Sequence, residues 1–306
     1  MAPKQKITLF MVVSGILICF IGWIKPQPSS STTKGNHFWT FKTHSKKKHN
    51  IVVFGDSRIY RGVSPSELTK GYPNYFAVNL GYSSAGMDDQ LFDFIVERLD
   101  LNNDPHIILG ITPHSLTPKA IANEHYIQEK NRSAFTVYQR MYLEEYLAFF
   151  DRMTTAEIFY ALFDKHPAFQ SFEEFHEDGW VASYILPADS NSALENYRKE
   201  FMDNKVTDQS VSNLLTRVKS WNEKGIKVYA FRPPTTRAMV ILEDKLSGFD
   251  TDKFSERFEL NGGIWLSFDY ADFVSYDGSH LHYDEAKRLS RLLKEKIFNT
   301  LPNKSS

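Results

Sequence analysis

The chain has 306 residues, enough for one large domain or two small ones, and with 42% hydrophobic and 14% aromatic residues it has ample material for a core, which excludes a disordered protein. Its 36 basic and 37 acidic side chains leave a formal net charge of −1 with no basic stripe, which argues against nucleic acid as a partner. Cys19 is the only cysteine, so no disulfide framework and no Cys-based metal site is available.

The amino terminus is basic at Lys4 and Lys6, and Ile7 to Ile24 follows as 18 residues without a charge. That length just spans a bilayer and exceeds a usual signal-peptide core. No small-x-small cleavage site comes after it, so residues 1–27 read as a cytoplasmic tip and an uncleaved transmembrane signal-anchor. A short basic amino terminus stays inside, which places the rest of the chain outside the cell inner membrane as a single-pass periplasmic protein. Residues 28–48, opening Pro28-Ser29-Ser30-Ser31, read as a polar linker, with Lys46-Lys47-Lys48 as a solvated face.

Residues 49–306 read as one α/β domain. Apolar runs predict strands at 51–54, 75–79, 106–110, 226–231 and 264–268, and periodic runs predict helices at 87–99, 207–224 and 284–298. The short crossovers between the first three strands imply βαβ units. The expected architecture is therefore a three-layer sandwich on a parallel sheet of about five strands. Gly225 reads as a helix C-cap before a strand, and Pro233-Pro234 forbid continuation of that strand. The stretch 117–206 exceeds what such a sheet needs. It is rich in aromatics, with a helical period from Thr136 to Phe163. Lying after a strand's carboxyl end, it reads as a helical cap over the site, or as a lateral layer whose aromatics are core.

Two short segments carry chemistry. Gly55-Asp56-Ser57-Arg58 comes straight off the apolar run Ile51-Val52-Val53-Phe54, which puts a hydroxyl in a tight turn at the carboxyl end of a strand, where open α/β sheets bind ligands. Near the other end stands Asp277-Gly278-Ser279-His280, a carboxylate and an imidazole three positions apart. An early Ser with a late Asp-x-x-His is one order in which a Ser-His-Asp triad is laid out. Asp56 is expected to organise the turn through backbone N–H groups, and Asp284 to cap the last helix. His282, two residues from His280, is the competing imidazole. The histidines are scattered, and no Walker or dinucleotide glycine pattern occurs, so no metal or cofactor is expected.

These two segments resemble the first and last blocks of the SGNH/GDSL hydrolase family. The resemblance implies an SGNH/flavodoxin-like fold, with Ser57 as nucleophile, His280 as general base and Asp277 as the group that orients the imidazole. It also implies that the Gly81 N–H, in Asn79-Leu80-Gly81, helps hold the oxyanion. In the family's third block, Gly-x-Asn-Asp, Gly110 matches but Thr112 stands where the oxyanion-hole Asn belongs. One missing oxyanion donor costs about 10²–10³ in rate. Thr112 is either a substitute donor through its hydroxyl or a turn residue before Pro113. Arg58 and Arg61 flank the nucleophile turn, either binding an anionic substrate group or acyl carbonyl or serving as structural or surface charge. The expected activity is that of a serine esterase or O-acyltransferase, with acetyl as the expected acyl group and a cell-surface or exported polysaccharide as substrate. The anchored members that the chain looks like act beside a multi-spanning membrane-bound O-acyltransferase. The alternative is a non-catalytic carbohydrate-binding or assembly component of such a machinery.

Overall fold

In the computed structural model, which describes residues 3–24, 32–144 and 170–298, the apolar runs of the sequence become the strands of one sheet. Seven strands are described: β1 (Ile51–Phe54), β2 (Ala77–Asn79), β3 (His106–Gly110), β4 (Gln170–Phe175), β5 (Val181–Leu186), β6 (Lys227–Phe231) and β7 (Ile264–Trp265). Five of them form a sheet in the order β2-β1-β3-β6-β7, every pair parallel. With β4 and β5 set aside, this is the 2-1-3-4-5 order of a doubly wound sheet. Its strand order reverses between β1 and β3, and the crevice above that point lies at their carboxyl ends.

β1 is buried on both faces, which is why it reads as an unbroken apolar run rather than an alternating one. Val52 and Phe54 point into one core with Phe92, Ile95, Leu214 and Trp221, from the helices Asp89–Arg98 and Asp208–Glu223. Ile51 and Val53 point into the other core with Ile59, Leu289 and Leu293, from the helices Ser57–Gly62 and Tyr283–Phe298. Helices cover both faces, which gives three layers. The predicted helices fall within two residues of their expected bounds. The outer strands are shorter than the expected 75–79 and 264–268. Asp284 lies inside the first turn of the last helix rather than capping it.

The stretch read as a linker is a linker only in part. Thr32–His44 is a helix seated on the domain, with Phe38, Thr40 and Lys42 buried. Trp39 meets Tyr60 edge-on at 5.2 Å and Tyr82 at 4.9 Å. The Ser/Thr-rich lead-in conceals this helix, whose apolar contact rests on a few neighbouring aromatics. Lys42 enters with it. Its Nζ donates to the Gly81 carbonyl at 2.9 Å and lies over the rings of Phe38, Trp39 and Tyr60. Burial pushes this amine well below the ordinary lysine range, against a weaker opposing pull from Asp178. Lys46, Lys47 and Lys48 are exposed, as a solvated face should be.

The insertion at 117–206 is not purely helical. Among its described residues are the short helices Pro118–Ile121, His125–Lys130 and Ala134–Tyr138, a π-helical turn Gln139–Leu143 and the helix Leu194–Glu200. Most of the periodic run expected up to Phe163 falls outside the described residues. The unexpected element is an antiparallel hairpin, in which β4 and β5 pair from Gln170↔Leu186 to Phe175↔Val181 and Phe172 stacks on Tyr184. It stands where a helical cap or layer is expected, and Phe172 and Phe175, three residues apart, lack the alternation that marks a strand. The hairpin turn covers the free edge of β2, where the Asn79 N–H donates to the Asp178 carbonyl at 2.8 Å. Gly179, at φ +87°, makes that approach possible, because a Cβ there would collide with the Asn79 carbonyl.

Pro3–Ile24 is one helix, and within it Pro3–Phe20 is long and apolar enough to cross a membrane. The helix Thr32–His44 gives a direct test of the linker correction. A chain starting at residue 32 should melt like the whole protein. One starting at residue 46 loses the burial of Phe38 and Trp39, about 1.5–3 kcal/mol each, and should melt about 10 °C lower. Equal midpoints by circular dichroism would show that the helix adds nothing to the fold.

Candidate active site

The site is built where β1 and β3 end. A Cβ on Gly55 would lie 2.8 Å from the Gly110 carbonyl and would collide with Ile59, so glycine at 55 lets the two strand ends and the next helix close together. Asp56 then caps the helix Ser57–Gly62, its Oδ1 accepting the Arg58 N–H at 3.0 Å. Ser57 is thereby the first helical residue. Its N–H has no intrahelical acceptor and makes no hydrogen bond among the described residues.

The opposing loop runs from Ser275 to His282. Ser275 Oγ donates to the His280 carbonyl at 2.7 Å and accepts the Gly278 N–H at 2.8 Å, which folds the loop on itself. Gly278, at φ +94°, is packed so closely on the Ser190 carbonyl that a Cβ would collide with it. Asp277 Oδ1 accepts the N–H groups of Ser279 and His280 at 2.8 and 2.7 Å. Its Oδ2 meets His280 Nδ1 at 2.7 Å, and His280 Nε2 meets Ser57 Oγ at 2.8 Å. Three residues spread over most of the chain therefore form one continuous hydrogen-bonded line. Burial pushes the Asp277 carboxyl up, but His280 and the two backbone donors outweigh it and hold the group at about 2. An ionised Asp277 takes the Nδ1 hydrogen, which leaves Nε2 to accept the Ser57 Oγ–H. His282 is not part of this line, its Nδ1 lying 3.6 Å from Asp284.

The other expected site residues stand differently. The Gly81 N–H donates to Asn79 Oδ1 at 2.9 Å, so it is already engaged. Asn79 is itself fixed, its Nδ2 donating to the carbonyls of Ile59 and Val63 at 2.8 Å each. The Thr112 hydroxyl donates to Asp56 Oδ2 at 2.6 Å and accepts the Ser115 N–H. It ties the two turns together and offers no free donor. Neither group named for the oxyanion is free, whereas the Ser57 N–H beside them is uncommitted.

Arg58 is not placed to bind substrate. It is buried, with Nη2 2.7 Å from Glu243 Oε1 and Nε donating to Ser279 Oγ at 3.0 Å. Its guanidinium lies over the Tyr197 ring at 4.8 Å. Glu243 also holds Arg232 at 2.9 Å. Burial pushes Glu243 up, but the two guanidinium groups prevail and keep it ionised below its ordinary value. Arg61 is partly accessible. Its Nη1 donates to Tyr276 OH at 3.2 Å and its Nη2 pairs with Glu173 on β4. Tyr276 in turn stacks on His280.

Sequence reading missed Asn79, Lys42, Tyr197 and Glu243. Asn79 alone left a signal, since asparagine is depleted in strands and its presence in one calls for a reason. Among the described residues, no group of three or more His, Cys, Asp or Glu is arranged to hold a metal. No family model matches this chain, and no curated protein matches it.

Two outcomes follow from the charges. Arg58→Ala leaves Glu243 buried with Arg232 alone and should cost about 3–5 kcal/mol in a urea titration. A loss below about 1 kcal/mol would mean that Arg232 suffices. The Asp277 carboxyl is depressed in the fold from 3.8 to about 2, so its stabilising share is complete above 3.8 and is lost as pH falls toward 2. Asp277→Asn should flatten the stability profile across that window, and an unchanged profile would show that the carboxylate is not held as described.

Proposed function

We propose that the chain is a serine-dependent acyl-ester hydrolase or O-acyltransferase of the SGNH/GDSL type. The observation that carries this reading is the line Asp277–His280–Ser57, with hydrogen bonds of 2.7 and 2.8 Å. Ser57 Oγ attacks an ester carbonyl as His280 Nε2 takes its proton. The tetrahedral adduct collapses, its alcohol leaves with that proton, and Ser57 keeps the acyl group. Asp277 holds the imidazole in the working tautomer and stabilises the imidazolium. A second nucleophile then gives its proton to His280 and takes the acyl group, and His280 returns that proton to Ser57 Oγ. Water makes the protein an esterase, and a sugar hydroxyl makes it a transferase. The Ser57 N–H, at a helix start, is the first donor to the oxyanion.

The reading extends to place and partners by analogy with anchored proteins of this type. The helix Pro3–Ile24 would be the single-pass anchor in the inner membrane, with the domain periplasmic. The substrate would be a cell-surface or exported polysaccharide carrying acetyl groups, and the partner a multi-spanning membrane-bound O-acyltransferase. One observation favours a second reading. With the Gly81 N–H and the Thr112 hydroxyl both committed inside the protein, the Ser57 N–H is the one donor of the three left open, which suits a carbohydrate-binding or assembly component.

The test uses the full chain in detergent with p-nitrophenyl acetate and a serine-reactive fluorophosphonate. Wild type should be labelled at Ser57. Ser57→Ala should lose labelling and at least about 10³-fold in hydrolysis at an unchanged melting midpoint. His280→Ala should be as severe and His282→Ala mild. A folded wild type that neither labels nor turns over would sink the enzymatic reading and leave the binding component.

A further inference from the structure

One turn along the nucleophile's helix, a cavity of about 420 Å³ opens between the helix Thr32–His44 and the β4–β5 hairpin. That volume lies in the range of small-ligand sites, about 300–1,000 Å³. We propose that it is a subsite for an uncharged sugar ring, the acceptor side of the reaction if the acyl-transfer reading above holds.

The walls decide the chemistry. Among the described residues, Trp39, Tyr60, Tyr82 and Phe175 give it aromatic surface. Trp39 and Phe175 are partly exposed, so ring surface is open to a ligand. The polar lining holds Ser83, His125 and Gln128 beside two paired charges of each sign. Arg61 faces Glu173, and Arg132 faces Glu129. Glu129 is buried and also accepts the Thr40 hydroxyl at 2.6 Å, so its place is fixed. Every guanidinium in the lining already carries a carboxylate. An anionic ligand would have to displace one of them, and a cation would meet the paired guanidinium groups. A hydroxyl both donates and accepts, so a ring of hydroxyls can meet an Arg–Glu pair without breaking it. The apolar face of such a ring suits the aromatics.

The cavity is linked to the triad through Arg61 in its wall. Arg61 pairs with Glu173 in the cavity wall and donates to Tyr276 OH, and Tyr276 stacks on His280 at 5.9 Å between ring centroids. Tyr60 lies three residues after Ser57 on the same helix. A ring held here places its neighbours along the chain near Ser57.

The experiment titrates the full chain in detergent, as wild type, Ser57→Ala, Trp39→Phe and Glu173→Gln, with maltotetraose, cellotetraose, chitotetraose and tri-galacturonate, read by calorimetry. At least one neutral tetrasaccharide should bind wild type and Ser57→Ala alike. Glu173→Gln lies on a half-exposed hairpin position and uncovers Arg61. It should weaken that neutral sugar at least 10-fold and strengthen tri-galacturonate. Trp39→Phe keeps a ring in place, and a drop of a few fold is expected from the smaller face. If no neutral tetrasaccharide binds, if tri-galacturonate binds best to wild type, or if Glu173→Gln changes neither ligand, the subsite is wrong. The acyl-transfer reading stands or falls separately on p-nitrophenyl acetate turnover. Ester turnover without neutral-sugar binding overturns the subsite alone, whereas sugar binding by a chain inert to esters keeps the subsite and overturns the enzyme.

Discussion

The Asp56 carboxylate joins the two strand ends between which the site lies. One oxygen caps the helix that Ser57 begins, and the other accepts the Thr112 hydroxyl from the turn after β3. Both bonds are buried and made to a carboxylate, a class worth about 1.5–3 kcal/mol each. The position of Ser57 relative to the sheet follows from this one side chain. So does the fate of Thr112, since a hydroxyl that closes the β1–β3 crevice is not also free to meet an oxyanion.

Arg58 supplies the second constraint. It is chained to the nucleophile as the next residue, and its Nε holds Ser279, which sits between Asp277 and His280. The nucleophile's neighbour is thus bonded to the base's neighbour, and the 2.8 Å approach of His280 to Ser57 is enforced from the side. Burying a guanidinium and Glu243 together carries a desolvation cost that such pairs often fail to recover as stability. What the pair secures here is geometry: two loops far apart in sequence held at hydrogen-bonding distance.

How much of this the sequence disclosed depends on the distance over which each feature is decided. β1, β3 and β6 were legible because burial on both faces writes itself into consecutive residues. Ser57, Asp277 and His280 were legible because turn chemistry and a three-residue spacing are local. The fate of Arg58 was not, since its partner Glu243 lies 185 residues away and no pattern within either segment mentions the other. The hairpin escaped because Phe172 and Phe175, three residues apart, match a helical period and break a strand's alternation. The helix Thr32–His44 escaped because its seat, Tyr60 and Tyr82, exists only once the sheet is built.

Gly81 is held on both sides, its N–H by Asn79 and its carbonyl by Lys42. That engagement does not by itself exclude Gly81 from the chemistry. The bond to the neutral Asn79 amide is worth about 0.5–1.5 kcal/mol net, whereas a donor turned onto a developing oxyanion contributes about 2.7–4 kcal/mol. Exchange of one for the other is downhill at the transition state. The Thr112 hydroxyl faces a poorer exchange, because its present acceptor is a carboxylate. On the acyl-transfer reading Gly81 is therefore the donor with the lower cost of exchange, and Lys42 holds the carbonyl of the same residue. Lys42 belongs to the helix Thr32–His44, which follows the apolar Pro3–Ile24 helix in the chain. The seating of that helix sets the Gly81 carbonyl, and through it the N–H of the same loop. The apolar Pro3–Ile24 helix and the hydrogen bonds beside Ser57 are thus joined through one short piece of chain.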